Sequence, residues 1–368
     1  MRKHYFLGLA AGKQGAFRHL FTHGTRKDLS KLKLYLQEKY RGEAILCKNG
    51  RSGLALALKA YFDKKDGVII NGFTCYAVYE AVKAAGLVPV FADITRENLN
   101  FDINTLEKAF QTGSKMAKVR GMIIQNSLGN PVDIVAIEEF AKRHELIIIE
   151  DLAHCAGMKY QDGREAGTMG KAVVLSFGKD KSIDTVSGGA VVLRDPCRNA
   201  IKAPSKMPKI SDVLRARFYP LFGTMCRGLS YVKLGGILMR GLIKIHWVER
   251  SADNKLNLSQ RLAKFEAKLA LEQMVGLAKS NVKPLREFYL VRNRTEALEK
   301  LRKAGYYFDG FWYEKPVSPV RYYRKVHFPE EDCPVAVEVS EKIVNLPNYY
   351  SKKDLMPAIK IIKEYLDE

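Results

Sequence analysis

What the sequence lacks narrows its function first. None of the six cysteines, Cys47, Cys75, Cys155, Cys197, Cys226 and Cys333, stands in a C-x-x-C or other metal-ligand spacing. The pattern reads as free thiols in a reducing compartment, with no disulfide framework and no structural zinc. The N-terminal MRKHYFLGLAAGKQGAF starts basic and has a short apolar patch, but no signal-peptide core or cleavage site follows, so a cytoplasmic location is the default. Repeats, low-complexity linkers and nucleic-acid motifs are missing, so nucleic acid is not an expected partner. Acids are scarce: 40 against 61 Lys and Arg leave a formal charge of +21, a field that attracts phosphate or anionic lipid. What is present is a chain of 368 residues, 47% hydrophobic, long enough for a large core and two domains.

The stretch from Ile147 to Val192 carries the chemistry. An apolar run ends in Glu150-Asp151, a Gly-rich connection follows, and a second apolar run reaches Ser176-Phe177 ahead of Lys181 and Gly188-Gly189. An acid closing a run of β-branched residues lies at the C-terminal end of a parallel strand, where open α/β sheets place ligands. Two strands therefore deliver a carboxylate and an amine to one place. Those types suit pyridoxal phosphate, whose aldehyde forms a Schiff base with a lysine and whose ring nitrogen is held protonated by a carboxylate. Asp151 is the candidate acid and Lys181 the candidate amine. His154 is near enough to reach the phenolic oxygen or to cap the turn.

The series E-D-x-A-H, S-F-x-x-x-K and G-G resembles the DegT/StrS family of sugar aminotransferases, pyridoxal phosphate enzymes of fold type I. The resemblance implies that Asp151 binds the pyridinium nitrogen, His154 lies by the ring oxygen, Ser176 contacts phosphate and Lys181 carries the cofactor. Lys179 is a nearby rival, and the spacing from Ser176 in the family selects Lys181. Relatives with histidine at that place act as dehydratases, and Lys181 argues against that branch.

Upstream, DLSKLKLYLQEKY reads as a helix with Leu29, Leu32, Leu36 and Tyr40 on one period and Asp28 as its N-cap. AILCKNGRSGLALALKAYF reads as strand, Gly-rich turn and apolar helix, whose first amides form an anion site. By resemblance to the family's S-G-T-x-A-L, Gly50, Arg51 and Ser52 hold the cofactor phosphate, with Ser52 for the threonine hydroxyl and Arg51 an added cation. The family's ring-stacking aromatic is Cys75 here, which leaves the neighbouring Tyr76 to supply a face. Asn126 stands where the family has histidine, at a strand end where polar residues also satisfy backbone. Strand-helix-strand units of this length imply an α/β fold with a mostly parallel sheet sandwiched by helices.

Residues 196–255 change character, with twelve Lys and Arg against three acids interleaved with aromatic and aliphatic residues. No uncharged apolar run there approaches the length of a membrane span. Two readings stand: basic amphipathic helices on an anionic membrane, centred on 209–247, or a helical insertion that packs on its own dimer. The match resumes at RLAKFEAKLALEQMVGL, with Ser259 where the family often has asparagine reaching the partner's cofactor phosphate. VKPLREFYLVRNRTEALEKLRKAG reads as a long charged helix.

The expected organisation is an arm and large cofactor-binding domain over 1–195, the insertion over 196–255, and a smaller C-terminal α/β domain over 256–368. The resemblance implies a homodimeric aminotransferase moving an amino group, with glutamate as donor, to a nucleotide-linked keto-sugar in polysaccharide biosynthesis. A lipid-linked or membrane-adjacent substrate, with peripheral membrane attachment, and a non-catalytic regulator on the same fold are the alternatives.

Overall fold

The computed structural model describes residues 5–6, 15–230, 234–249, 254–280, 282–308 and 312–367. Much of the basic N-terminal arm, and 231–233 and 250–253 of the basic segment, lie outside the described residues.

Strand β1 (Tyr5–Phe6) and helix α1 (Ala16–Phe21) lead into α2 (Arg26–Tyr40). An alternating run follows: β2 (Glu43–Cys47), α3 (Gly50–Tyr61), β3 (Gly67–Asn71), β4 (Thr74–Cys75), α4 (Tyr76–Ala84), β5 (Val88–Ala92), α5 (Ile103–Ser114), β6 (Val119–Ile124), α6 (Ile134–Arg143), β7 (Ile147–Asp151), β8 (Ala172–Ser176) and β9 (Gly189–Leu193). The basic segment holds α7 (Ile210–Ser230) and α8 (Gly235–Lys244), and α9 (Lys264–Leu277) comes after it. The chain closes with β10 (Arg286–Leu290), α10 (Arg294–Lys303), β11 (Tyr306–Tyr307), β12 (Val317–Ser318), α11 (Val320–Tyr323), α12 (Pro334–Lys342), β13 (Ile343–Pro347) and α13 (Lys352–Lys363).

The main sheet has seven strands in the order β2-β9-β8-β7-β6-β3-β5. Strands β8, β7, β6, β3 and β5 are parallel, and β9 runs against both its neighbours. The central strands are buried along their length, as a sheet covered on both faces requires. One face packs Leu32 and Leu36 of α2, Leu106 of α5, Phe140 of α6 and Ala270 of α9. The other packs Leu54 and Leu58 of α3 with Val78 and Val82 of α4. Helix α9, though it follows the basic segment, thus belongs to the core of the large sheet.

Two local expectations are corrected. The cap of α2 is Thr25, not Asp28: the Asp28 amide donates to Thr25 Oγ1, and Asp28 Oδ2 accepts from the Thr25 amide at 2.7 Å. Asp28 is the third helical residue of a reciprocal box, where an acid also meets the positive helix end. The single long helix expected over 282–305 is instead strand β10 and helix α10. Residues Arg286 to Leu290 pair antiparallel with β13, and Asn293 caps the helix by accepting from the Glu296 amide at 3.1 Å. The ladder to β13 outweighs the helical propensity of a charged stretch.

Strands β10 and β13, with α10 and α13, enclose a second core of Val291, Leu301, Val344, Leu346 and Ile362. β1 joins this region by pairing with β11. Asp93, just past β5, accepts from the Val335 and Ala336 amides at 3.0 and 2.9 Å, capping α12 from the large sheet. Helix α7 packs on α1 and α8, with Tyr219, Cys226 and Leu242 against Phe265 and Leu269 of α9. Among the described residues no helix is long and apolar enough to cross a membrane.

Candidate functional site

Strand alternation separates the two adjacent acids of β7, since successive side chains point to opposite faces. Glu150 is fully buried and accepts from the Gly167, Met169 and Gly170 amides and from Tyr160 Oη, at 2.6, 2.8, 2.7 and 3.2 Å. It holds the Gly-rich connection together. Asp151 takes the other side, buried at the C-terminal edge of the parallel strands, with Oδ1 accepting from the Ala153 amide at 3.0 Å. Burial raises its pKa, opposed by that amide.

Lys181 lies in the β8–β9 connection, and its Nζ is 3.0 Å from His154 Nε2. On the other side of the ring, His154 Nδ1 accepts from the Leu128 amide at 3.2 Å. That bond assigns the ring proton to Nε2 in the neutral imidazole. The imidazole then donates to Lys181, and only an uncharged amine can accept. Both shifts agree. Burial lowers the Lys181 pKa, and burial above all holds His154 well below the usual imidazole range. The rival Lys179 faces away: its Nζ donates to the Glu249 carbonyl and lies 3.7 Å from the Tyr219 ring centroid.

A lowered lysine pKa keeps the neutral amine present further into acid, and it is lost as pH falls through that value. The rate at which Lys181 captures an aldehyde, measured against pH, should reach half its plateau below the ordinary lysine range. A midpoint at the ordinary value would contradict the neutral pair.

The anion cradle is built by glycines. Asn49 caps α3, accepting from the Ser52 amide and hydroxyl at 2.8 and 2.7 Å. Gly50 and Arg51 then occupy the first turn, where backbone amides have no carbonyl one turn earlier to bond. A Cβ on Gly50 would lie 2.7 Å from Ser176 Cβ and 3.0 Å from its Oγ, so only glycine leaves room between this helix end and Ser176. A Cβ on Gly189 would sit 2.4 Å from the Gly50 nitrogen, which explains the second glycine of the G-G pair. Gly189→Ala is expected to push α3 off the sheet, lowering stability by about 1–3 kcal/mol and cofactor affinity by at least tenfold. Calorimetric melting and a cofactor titration check this, and an unchanged affinity would refute the close-packed cradle.

The other sequence-selected side chains are placed differently. Ser52 spends its hydroxyl on Asn49 and accepts from the Asn257 amide at 3.0 Å. Arg51 is buried and pairs with Glu80 of α4. Tyr76 stacks on Tyr322, 4.4 Å between centroids. Asn126 donates to Tyr160 Oη at 3.1 Å and accepts from the Val132 amide at 3.0 Å, holding the turn after β6. Ser259 is exposed, and its amide donates to Asn257 Oδ1 at 3.0 Å.

Two residues beside the amine were not selected. Trp312 lies 4.7 Å from Lys181 Nζ and 5.0 Å from the His154 ring, centroid to centroid. Arg286, on β10, lies against the same indole. No motif marks either residue, and REFYL does not alternate polar with apolar, Arg286 alone being buried in β10.

Pyridoxal phosphate fits these residues. The Lys181 amine would take the aldehyde, the buried Asp151 carboxyl would face a protonated ring nitrogen, His154 would lie towards the phenolic oxygen, and the glycine-cleared first turn of α3 with Ser176 would receive the phosphate.

Comparisons with known proteins bear on the family and the fold. The chain is 32% identical over 162 residues to GDP-perosamine synthase of Escherichia coli O157:H7, covering 44% of this chain and 43% of that protein. It is 32% identical over 155 residues to dTDP-3-amino-3,4,6-trideoxy-alpha-D-glucose transaminase of Streptomyces venezuelae, covering 42% and 39%. These matches span less than half the length of the curated relatives. A DegT/DnrJ/EryC1/StrS aminotransferase structure from Brucella abortus superposes with a TM-score of 0.66 at 21% identity, covering 94% of this chain and 92% of that one, which shows the fold. Residues 29–212, which hold the sheet, the acid and the amine, match the family profile itself, and the chain belongs to the DegT/DnrJ/EryC1/StrS aminotransferase family.

Proposed function

We propose that the protein is a pyridoxal phosphate-dependent aminotransferase that moves an amino group from an amino acid, glutamate, to a keto-sugar carried by a nucleotide. The observation that carries the reading is the Lys181 amine, 3.0 Å from the His154 imidazole, beside a buried Asp151 and a glycine-cleared anion cradle. When bound, the cofactor supplies an aldehyde and a cationic ring that accepts the electron pair released at the reacting carbon.

The chain's residues do the rest. Asp151 holds a proton on the ring nitrogen, because a carboxylate in a dry site stabilises a cation strongly. His154 Nε2–H orients the phenolic oxygen. Lys181 Nζ, neutral and therefore basic, takes the proton from the donor α-carbon and later delivers one to the sugar carbon. The Gly50 and Arg51 amides with Ser176 bind the phosphate. The diphosphate of a nucleotide sugar suits the excess of cations, and the names of two relatives carry nucleotide-linked amino sugars. Purified protein should be yellow, and glutamate should bleach it while 2-oxoglutarate appears; a protein that takes up no cofactor from excess would end this reading.

We further propose a homodimer whose contact includes the outer faces of α1, α7 and α8. Phe17, Ile210 and Ile237 on these helices, and Ile245 just past α8, are exposed by 73, 78, 58 and 62%, apolar side chains that a subunit contact would cover. Sedimentation should find a dimer that Ile237→Glu weakens. A monomer that pellets with anionic vesicles at low salt and is released at high salt would instead assign the face to lipid.

A further inference from the structure

The position where the family carries its ring-stacking aromatic is Cys75 in this chain, half-buried, with its Sγ accepting from the Ala77 amide at 3.5 Å to cap α4. A capped thiol offers no flat face. The aromatic residues beside it are committed elsewhere: Phe73 is fully buried against Tyr313, 4.5 Å between centroids, and Tyr76 lies nearly parallel to Tyr322 at 4.4 Å. The indole of Trp312 is placed differently. It is half-buried, and its centroid lies 4.7 Å from Lys181 Nζ and 5.0 Å from the centroid of the His154 ring.

Those two distances bear on the cofactor because Lys181 and His154 restrict where its ring can lie. A ring joined to Nζ through one exocyclic carbon has its centre about 4 Å from that nitrogen, and the phenolic oxygen assigned to His154 stands on the neighbouring ring carbon. An indole this close to both groups can meet the ring at the roughly 4.5–7 Å over which aromatic rings pair in offset or edge-on arrangements.

The segment that carries the indole also runs beside the segment that carries the thiol. β12 pairs with β4, Ser318 opposite Cys75, and the Thr74 amide donates to the Pro316 carbonyl at 2.8 Å. The indole is braced as well: the Trp312 carbonyl accepts from Asn345 Nδ2 at 2.9 Å, and the Arg286 guanidinium carbon lies 4.9 Å from the ring centroid. A cation held against an indole limits its freedom to turn, so little ordering is left for a ligand to impose.

We propose that Trp312 is the aromatic platform of the cofactor's pyridine ring in this chain, supplying from the C-terminal region the face that Cys75 does not. This assignment rests on the pyridoxal phosphate reading of the site, and its test separates the two.

The probe is pyridoxine 5′-phosphate, which has the cofactor's ring and phosphate but an alcohol in place of the aldehyde. It cannot bond to Lys181, so its affinity reads ring and phosphate contacts alone. Calorimetric titration of the apoprotein should show Trp312→Leu weakening the probe about tenfold and Trp312→Phe about threefold, with inorganic phosphate within about twofold of wild type in both. Cys75→Phe added to Trp312→Leu should bring the probe back to within about threefold of wild type, because a ring returns at the other position.

A second readout needs no substitution in the site. The chain has two tryptophans, Trp247 and Trp312, and Trp247→Phe leaves Trp312 as the single emitter. Acrylamide quenching of its fluorescence should fall about threefold or more when the probe binds, since a ring laid on the indole blocks the quencher, and should be unmoved by inorganic phosphate. Wild-type affinity for the probe in Trp312→Leu, or an indole equally open to acrylamide with the probe bound, would overturn the platform. Equal losses for the probe and for inorganic phosphate would make Trp312 merely structural and overturn it too. Probe binding that depends on Trp312 in a protein that glutamate never bleaches would leave the platform standing and remove the aminotransferase reading. Bleaching by glutamate in a protein whose probe affinity is indifferent to Trp312 would do the reverse.

Discussion

Lys181→Ala should abolish amino-group exchange, lowering the single-turnover rate by on the order of 10^4 or more, because one substitution removes both the nucleophile and the base that moves the proton. The variant should still collect the cofactor in the cradle of Gly50, Arg51 and Ser176, since those groups do not depend on the amine, but its absorption should be that of free rather than lysine-bound aldehyde. Lys181→Arg should not rescue: a guanidinium stays protonated and cannot accept from His154 Nε2–H as the amine does at 3.0 Å. Lys179→Ala is the internal control. That side chain is committed to the Glu249 carbonyl and the Tyr219 ring, so its loss should leave the half-reaction within threefold. If Lys181→Ala kept even 1% of the wild-type rate, or Lys179→Ala lost the yellow chromophore, the assignment of the amine would be wrong.

Glu150→Gln should be the most destabilising conservative change in the large domain, costing about 3 kcal/mol or more. The carboxylate receives three backbone amides and a tyrosine hydroxyl in a site with no water access. An amide side chain offers one oxygen in place of two and turns its own N–H groups towards donors, leaving buried amides unpaired at about 1–3 kcal/mol each. Urea unfolding followed by circular dichroism reads the loss, and a change below about 1 kcal/mol would show that the Gly-rich connection does not hang on this residue. Cofactor affinity should fall too, because the connection that Glu150 gathers lies between Asp151 and Ser176 in the chain. Asp151→Asn should behave oppositely, with a smaller effect on folding and a larger one on exchange, since Asp151 accepts one backbone amide and otherwise faces the site.

These two neighbours show where the chain's own information ends. The E-D pair, its apolar run and the distance to Lys181 were legible because β-strand burial and motif spacing are written along the chain. The same holds for the strand-helix alternation, the glycine-rich turn before α3 and the paired helices of the basic segment. Asp151 was selected over Glu150 by its place at the strand end and by the family resemblance; the physical reason Glu150 is spent elsewhere is which side of the sheet the Gly167, Met169 and Gly170 amides occupy.

Sequence alone thus determined the fold class and the order of acid, serine, lysine and glycines, because local periodicity and fixed spacings survive any arrangement of the remaining chain. Tertiary structure alone decided which polar groups are spent on holding the backbone and which are left to act. Asn126 and Ser52 went to hydrogen bonds with Tyr160, Val132, Asn49 and Asn257, and Arg51 to Glu80. Arg286 and Trp312, more than 100 residues downstream of Lys181, lie beside it, Arg286 in the β10–β13 pair and Trp312 with its carbonyl accepting from Asn345 of β13. A side chain's hydrogen bonds and charge state depend on atoms supplied from distant parts of the chain, and no spacing in the sequence records which of them will arrive.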